Sequence, residues 1–495
     1  MTLITLFGYI GFAALILTYI MYAGLKNVRN PLMSFLQNFT GILFVFSGWV
    51  KAIDPLGTAF KMQQYFDQFD VVFSGTAVKF IAPVFPLLSS YAGTFSVVMI
   101  IFEIVLGFML VKGASPKFTA WAFFLMVAFF TVLTGFTYLT GYVPEGVNFF
   151  SFGDWGEYQT KNMKVTDCGC FGDFIKLEPK ISFFKDVFLL FPAIYFIRSW
   201  KNMHKWFTTR THSISIAASV IVLVLYCFNN FYWNEPHIDF RPFKNGADIR
   251  GVRKAESDAA AAVQVTGFKL RNKTNGEIIT LDYAVYMKDF SKYPSDSWET
   301  IEQIKTEPAV KPTKVSEFFI NTYDSQDITE EFLQDTGVQV VILSCKPLYH
   351  GIETKISIVE DSVFVSDTIK ERNGKETIVR RFKEMKKREV KQEVLKWDAG
   401  YLAAFQNVIK PFTDAAIKDG VALKVVTAGL DASKAADLSR ATGIEAAYLT
   451  ADDILLKTVM RSNPGIMLWK NGVIMQKWHY KKLPEWDQVR QQFLK

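Results

Sequence analysis

Long apolar runs fill the first 233 residues and stop there; beyond them, charged and apolar positions mix at the spacing of a water-soluble chain. A helix needs about 20 mostly apolar residues to cross the roughly 30 Å of bilayer hydrocarbon. Six segments meet that need: 4–24, 35–53, 86–111, 118–140, 181–199 and 212–232. The first has no basic residue ahead of its apolar run and no small-residue cleavage pattern behind it. It is therefore read as a span and not as a signal peptide. The expected fold is an all-α transmembrane bundle over 1–233, followed by an α/β region in water.

The aqueous half divides again. Residues 234–325 read as a linker and a small strand-rich segment, where Glu277 to Tyr286 alternates like a half-buried strand after the turn Asn275-Gly276. Pro308 and Pro312 mark a boundary. Residues 326–495 follow the order strand, helix, strand, helix, strand, strand, helix, with Val338 to Ser344 and Ala422 to Thr427 as buried strands. Helices are predicted over 398–417 and 434–442. A charged insertion at 351–397 interrupts this order and reads as helix-prone. Its basic run from Arg380 to Arg388 is interleaved with Glu384, Glu389 and Glu393, the spacing of intrahelical ion pairs on a solvated helix.

Charge orients the bundle. Lys26 and Arg29, then Lys112 and Lys117, then Arg198, Lys201, Lys205 and Arg210 occupy alternate short loops. The positive-inside rule puts those loops in the cytoplasm. The N-terminus, the loop 141–180 and everything after 233 then lie outside, which in a bacterial inner membrane is the periplasm. The net charge of +7 resides largely in these loops and in the Glu-interleaved run. That pattern excludes nucleic acid and favours lipid and periplasmic proteins as partners.

Two of the four cysteines stand in Asp167-Cys168-Gly169-Cys170-Phe171-Gly172. Cysteines one glycine apart can close a tight ring, and a strained disulfide is readily reduced. Cys168 and Cys170 are therefore a candidate redox pair on the oxidising side of the membrane. A static staple and two free thiols are the other readings. A metal site lacks further ligands at suitable spacing, so none is expected. Cys227, inside an apolar span, reads as a small buried hydrophobe, and Cys345 ends a buried strand. Two ionisable residues complete the candidate set. Glu103 lies deep in the third span, where a carboxylate is costly unless paired or neutral. Lys51 closes the second span beside Trp49 and reads as an interfacial anchor or a proton-handling group. Lys185 and Asp186 open the fifth span as thiol-tuning groups or interfacial caps.

The run from Gly41 through Trp49, Lys51 and Asp54 to Pro55 resembles the DoxX-like membrane family, nearest to its methylamine-utilisation MauE branch. Phe60, Tyr65, Glu103 before Gly107, and the Cys-Gly-Cys-Phe-Gly loop continue the likeness over 35–200, one third of the chain. It implies a four-helix core formed by spans two to five and a role in supplying disulfides to periplasmic proteins. In it, Cys168 and Cys170 match the family's pair and Glu103 its membrane carboxylate. Met460 to Gly472 is similar to the second half of a thioredoxin-like domain, with Pro464 as the cis-proline and Asn471-Gly472 as the hairpin turn. The Cys-x-x-Cys pair of that fold is missing: Ser344-Cys345-Lys346-Pro347 holds one thiol.

The leading expectation is thus thiol–disulfide exchange through Cys168 and Cys170. Electrons would pass to a membrane quinone among spans two to five, with Glu103 or Lys51 managing the proton. The alternative is an assembly scaffold whose thioredoxin-like domain binds partners without catalysis. A transporter fits less, because no internal repeat or broken pair of spans is present.

Overall fold

The computed structural model describes residues 1–165, 168–370 and 376–494. They form two compact units, Met1–Arg241 and Pro242–Lys495.

The first unit is helical: α1 (Leu3–Ile20), α2 (Pro31–Ile53), α3 (Pro55–Ser74), α4 (Val84–Ser90), α5 (Ala92–Lys112), α6 (Pro116–Thr140), α7 (Pro179–Ser199) and α8 (Thr209–Phe228). Polar caps set their starts. The Asn30 side chain accepts from the Met33 N–H at 3.0 Å, ahead of Pro31 in the first turn. Asp54 ends α2 and begins α3, accepting from the Gly57 N–H at 3.1 Å. Glycines let α2 and α5 touch: a Cβ on Gly107 would lie 2.7 Å from the Gly41 carbonyl oxygen and 2.8 Å from the Val45 nitrogen. Close backbone approach through small residues is the usual means of joining helices in lipid, where apolar burial gives no drive.

Among the described residues, five helical segments are long and apolar enough to cross a membrane: Leu3–Gly24, Pro31–Ile53, Ala92–Lys112, Pro116–Thr140 and Thr209–Trp233. The chain is a multi-pass membrane protein. The sixth expected span, α7, falls outside these five because it carries Lys180, Lys185, Asp186 and Arg198. The expected span 86–111 is also broken, with Tyr91 outside helical geometry between α4 and α5. A helix the pattern did not suggest, α3, occupies the connection after α2.

The second unit is mixed α/β. Its helix α9 (Ile249–Ala261) precedes an antiparallel sheet of β1 (Val265–Asn272), β2 (Ile278–Asp282) and β3 (Trp298–Lys305), ordered β2-β1-β3. The strand expected through Tyr286 stops at Asp282, and α10 (Tyr283–Lys288) takes its place, with Tyr286 packed on Phe268 at 4.4 Å between ring centres. There follow α11 (Thr329–Gln334), β4 (Val338–Ser344), β5 (Tyr349–Lys370), β6 (Glu376–Trp397), α12 (Ala399–Ala403), α13 (Lys410–Lys418), β7 (Ala422–Thr427), α14 (Ala432–Thr442), β8 (Ala447–Thr450), α15 (Asp453–Val459), β9 (Gly465–Lys470), β10 (Val473–His479) and α16 (Trp486–Phe493).

Five of these strands form one sheet, β10-β9-β4-β7-β8, in which β4, β7 and β8 are parallel and β9 runs antiparallel to both its neighbours, β4 and β10. Its strands are apolar on both faces because helices cover both. Val341, Leu343, Met467 and Trp469 pack toward α9, α11 and α15, whereas Val340, Ile342, Ile466 and Leu468 pack toward α13, α14 and α16. The Asn463–Pro464 bond is cis, and Asn471 and Gly472 both have positive φ (52° and 79°) in the β9–β10 turn.

The insertion is the largest departure from the sequence pattern. It is a two-stranded antiparallel ribbon, β5–β6, of 22 residues in each strand, and not a helix. The charges that suggested intrahelical pairs meet across strands: Arg388 contacts Asp361 at 3.1 Å and Lys387 contacts Glu360 at 3.6 Å. β-branched residues recur on both strands, which favours the extended form.

Candidate functional site: a cavity in the helical bundle

The helical unit encloses a cavity of about 430 Å³ among α2, α3, α5, α6, α7 and the loop Cys168–Phe171. All four candidate residues, Lys51, Glu103, Cys168 and Cys170, line it. Lys51 and Glu103 are 6% and 3% exposed, and Lys51 Nζ lies 2.7 Å from Glu103 Oε2. The same ammonium sits 5.3 Å from the centre of the Phe130 ring. The third-span carboxylate is thus buried and paired.

A second pair, Lys185 with Asp186, comes from the first turns of α7 and is also buried. The Thr134 hydroxyl donates to Asp186 Oδ2 at 3.0 Å. Lys185 faces Phe171, 6.0 Å from its ring centre. Both residues line the cavity as an ion pair. Ser47, one turn before Lys51 on α2, donates to the Cys170 carbonyl at 2.8 Å and holds the cysteine loop against the bundle. Tyr65 on α3 accepts from Thr137 at 3.0 Å and stands beside Cys168. Apart from Lys185 and Asp186, and Tyr65 as part of the family likeness, sequence reasoning missed this shell. The Ser47-x-x-x-Lys51 spacing puts both on one helix face and was the one available signal.

The redox relay is overturned. No disulfide joins any two of the described residues, Cys168, Cys170, Cys227 and Cys345 included. The loop explains why. Gly169 and Gly172 take left-handed φ (61° and 51°), the Gly172 N–H bonds the Gly169 carbonyl at 3.1 Å, and Ser47 anchors Cys170. Cys170 then packs with the apolar cluster around Phe171, and Cys168 lies against Tyr65. Burial pushes the Cys170 thiol up, outweighing the opposite pull of the Lys185 ammonium. No oxidised pair is present among the described residues, and Lys51 and Glu103 have no relay to serve.

The aqueous unit tells the same story. Cys345 is buried beyond the end of β4, and burial pushes its thiol up to about 11. The turn that follows is clamped to the cis-proline loop. Asn463 Nδ2 donates to the Lys346 carbonyl at 2.6 Å and Asn463 Oδ1 accepts from the Ser344 hydroxyl at 2.9 Å. Ser344 in turn bonds Tyr401 at 2.6 Å. A clamped turn with one protonated thiol does not exchange disulfides. Iodoacetamide should accordingly alkylate Cys345 at neutral pH about a hundredfold more slowly than an exposed cysteine, with the rate climbing about tenfold per pH unit toward 11. Mass-spectrometric alkylation kinetics between pH 7 and 9 check this, and a fast, pH-independent reaction would contradict it.

No family model matches the chain, and no curated protein or solved structure is significantly similar to it.

Proposed function

We propose that the chain is an inner-membrane assembly protein that holds periplasmic partner proteins without catalysis. Its apolar half anchors it as a six-span, DoxX-like bundle, with charged α7 as the sixth span. Its N-terminus and aqueous unit face the periplasm, as the basic loops require. The aqueous unit is a thioredoxin-like domain whose redox centre is absent.

The observation that carries this reading is the ribbon β5–β6. It is a sheet of two strands only, so each strand has one edge with unpaired backbone groups. Ile352, Ile356, Ile358, Phe364 and Phe382 on it are exposed. An isolated two-stranded ribbon is marginal in water, and an open edge is a template for another strand. Strand β6 carries eight Lys and Arg against four Glu, whereas β5 carries two Lys against four Asp and Glu. The partner is therefore a protein that adds an acidic, extended segment to the edge of β6.

A photo-crosslinking amino acid placed at each position from Arg380 to Arg388 of the full chain, in intact cells, tests this. Discrete adducts at alternate positions are expected, since a paired strand repeats every second residue, and they should persist when all four cysteines are serine. Absence of adducts along the ribbon, or their loss in the cysteine-free variant, would overturn the proposal.

A further inference from the structure

We infer that the cavity in the helical bundle binds an uncharged lipid with a hydroxyl- or carbonyl-bearing head. Four observations converge on that class. The cavity volume of about 430 Å³ falls within the range that takes small organic ligands. Its walls are mostly apolar, with Phe66, Phe69, Phe95, Met99, Phe129 and Leu133 among them, which suits a hydrocarbon tail. Its polar end holds two ammonium–carboxylate pairs, Lys51 with Glu103 and Lys185 with Asp186, whose charges cancel.

The fourth observation asks for a head group. The Thr58 hydroxyl lines the same cavity, is buried, and has no hydrogen-bond partner among the described residues. A buried hydroxyl left unpaired is costly, and a ligand oxygen satisfies it. Each ammonium also has three N–H groups and spends one on its carboxylate, so donors remain for an accepting oxygen. A charged head would unbalance the two pairs in a place where an unmatched charge is expensive. Lys61, half-buried at the wall with its ammonium 3.3 Å from Gln64 Oε1, is the one further cation there among the described lining residues. Anionic lipids are therefore the decisive competitors.

Native mass spectrometry of the full-length protein released from dodecyl maltoside is the test. Oleyl alcohol and geranylgeraniol are the neutral probes, and phosphatidylglycerol and oleate the anionic ones. One neutral lipid should bind, and the arm that binds distinguishes a straight tail from a branched isoprenoid tail. Thr58→Val should weaken binding about tenfold, the worth of one lost hydrogen bond, whereas Thr58→Ser should preserve it. Leu133→Trp should abolish binding by filling the cavity. The inference falls if neither neutral lipid binds, if phosphatidylglycerol or oleate displaces it, or if Thr58→Val binds like Thr58→Ser.

Discussion

Lys51→Met should destabilise the helical unit by about 3–5 kcal/mol, the usual cost of stranding one partner of a buried ion pair. Glu103 sits in the third span and is 3% exposed, with the Lys51 ammonium at 2.7 Å as its salt-bridge partner. Removing that ammonium leaves a carboxylate in hydrocarbon. The paired variant Lys51→Met with Glu103→Leu should recover most of the loss, because two apolar side chains of similar size need no partner. Thermal unfolding of the full chain in detergent separates the cases. Equal melting of the single and double variants would mean that the pair contributes nothing as a pair.

Trp469→Ala should have an effect of similar size in the aqueous unit, about 3–5 kcal/mol. Trp469 is fully buried on β9, stacked on Phe318 at 6.0 Å and packed on Phe332 at 5.1 Å between ring centres. Alanine would leave a void between the sheet and the helices that carry Ile249 and Phe332. Trp469→Phe should cost far less. It keeps a ring in the stack and removes a buried indole N–H that has no partner among the described residues. Hydrogen exchange of the β9 amides in the full chain reads both. Protection in the alanine variant equal to that of the native chain would refute the argument.

The membrane half was legible because twenty apolar residues in a row have few other uses. The exceptions have physical causes. Helix α3 mixes Gln63, Gln64, Asp67 and Asp70 with aromatics, so its sequence resembles a polar loop, yet it forms one wall of the cavity. Helix α7 was read as a span from its aromatic run, and its charged groups proved to include a buried pair. In the aqueous half the apolar strands β4, β7 and β9 stood out, whereas β8, only four residues long, gave no signal. The ribbon misled because its charges fit helical and cross-strand pairing equally well. Only the frequency of Ile and Val distinguished the two.

Of the site, the sequence showed the four residues whose chemistry is conspicuous, and they do share one cavity. It misjudged their use. A glycine between two cysteines permits a ring, but whether the ring forms depends on what else holds the loop. Here Ser47 does, from a helix more than a hundred residues away in sequence. Thr58, Tyr65 and Thr134 are ordinary residues in a helix and matter only through what the fold sets beside them.

The root of the ribbon has a consequence for how this chain can change. Tyr349 and Trp397 face each other at its first rung, so the chain leaves and rejoins the sheet domain at one point. Trp397 and Leu395 are fastened there by the Asp437 carboxylate, at 3.1 and 2.9 Å. Ile352, Ile356, Ile358, Phe364 and Phe382 beyond that knot are exposed. The ribbon is therefore an exchangeable arm, and its length and reading face can be revised by selection or by design while the body that carries it stays as it is.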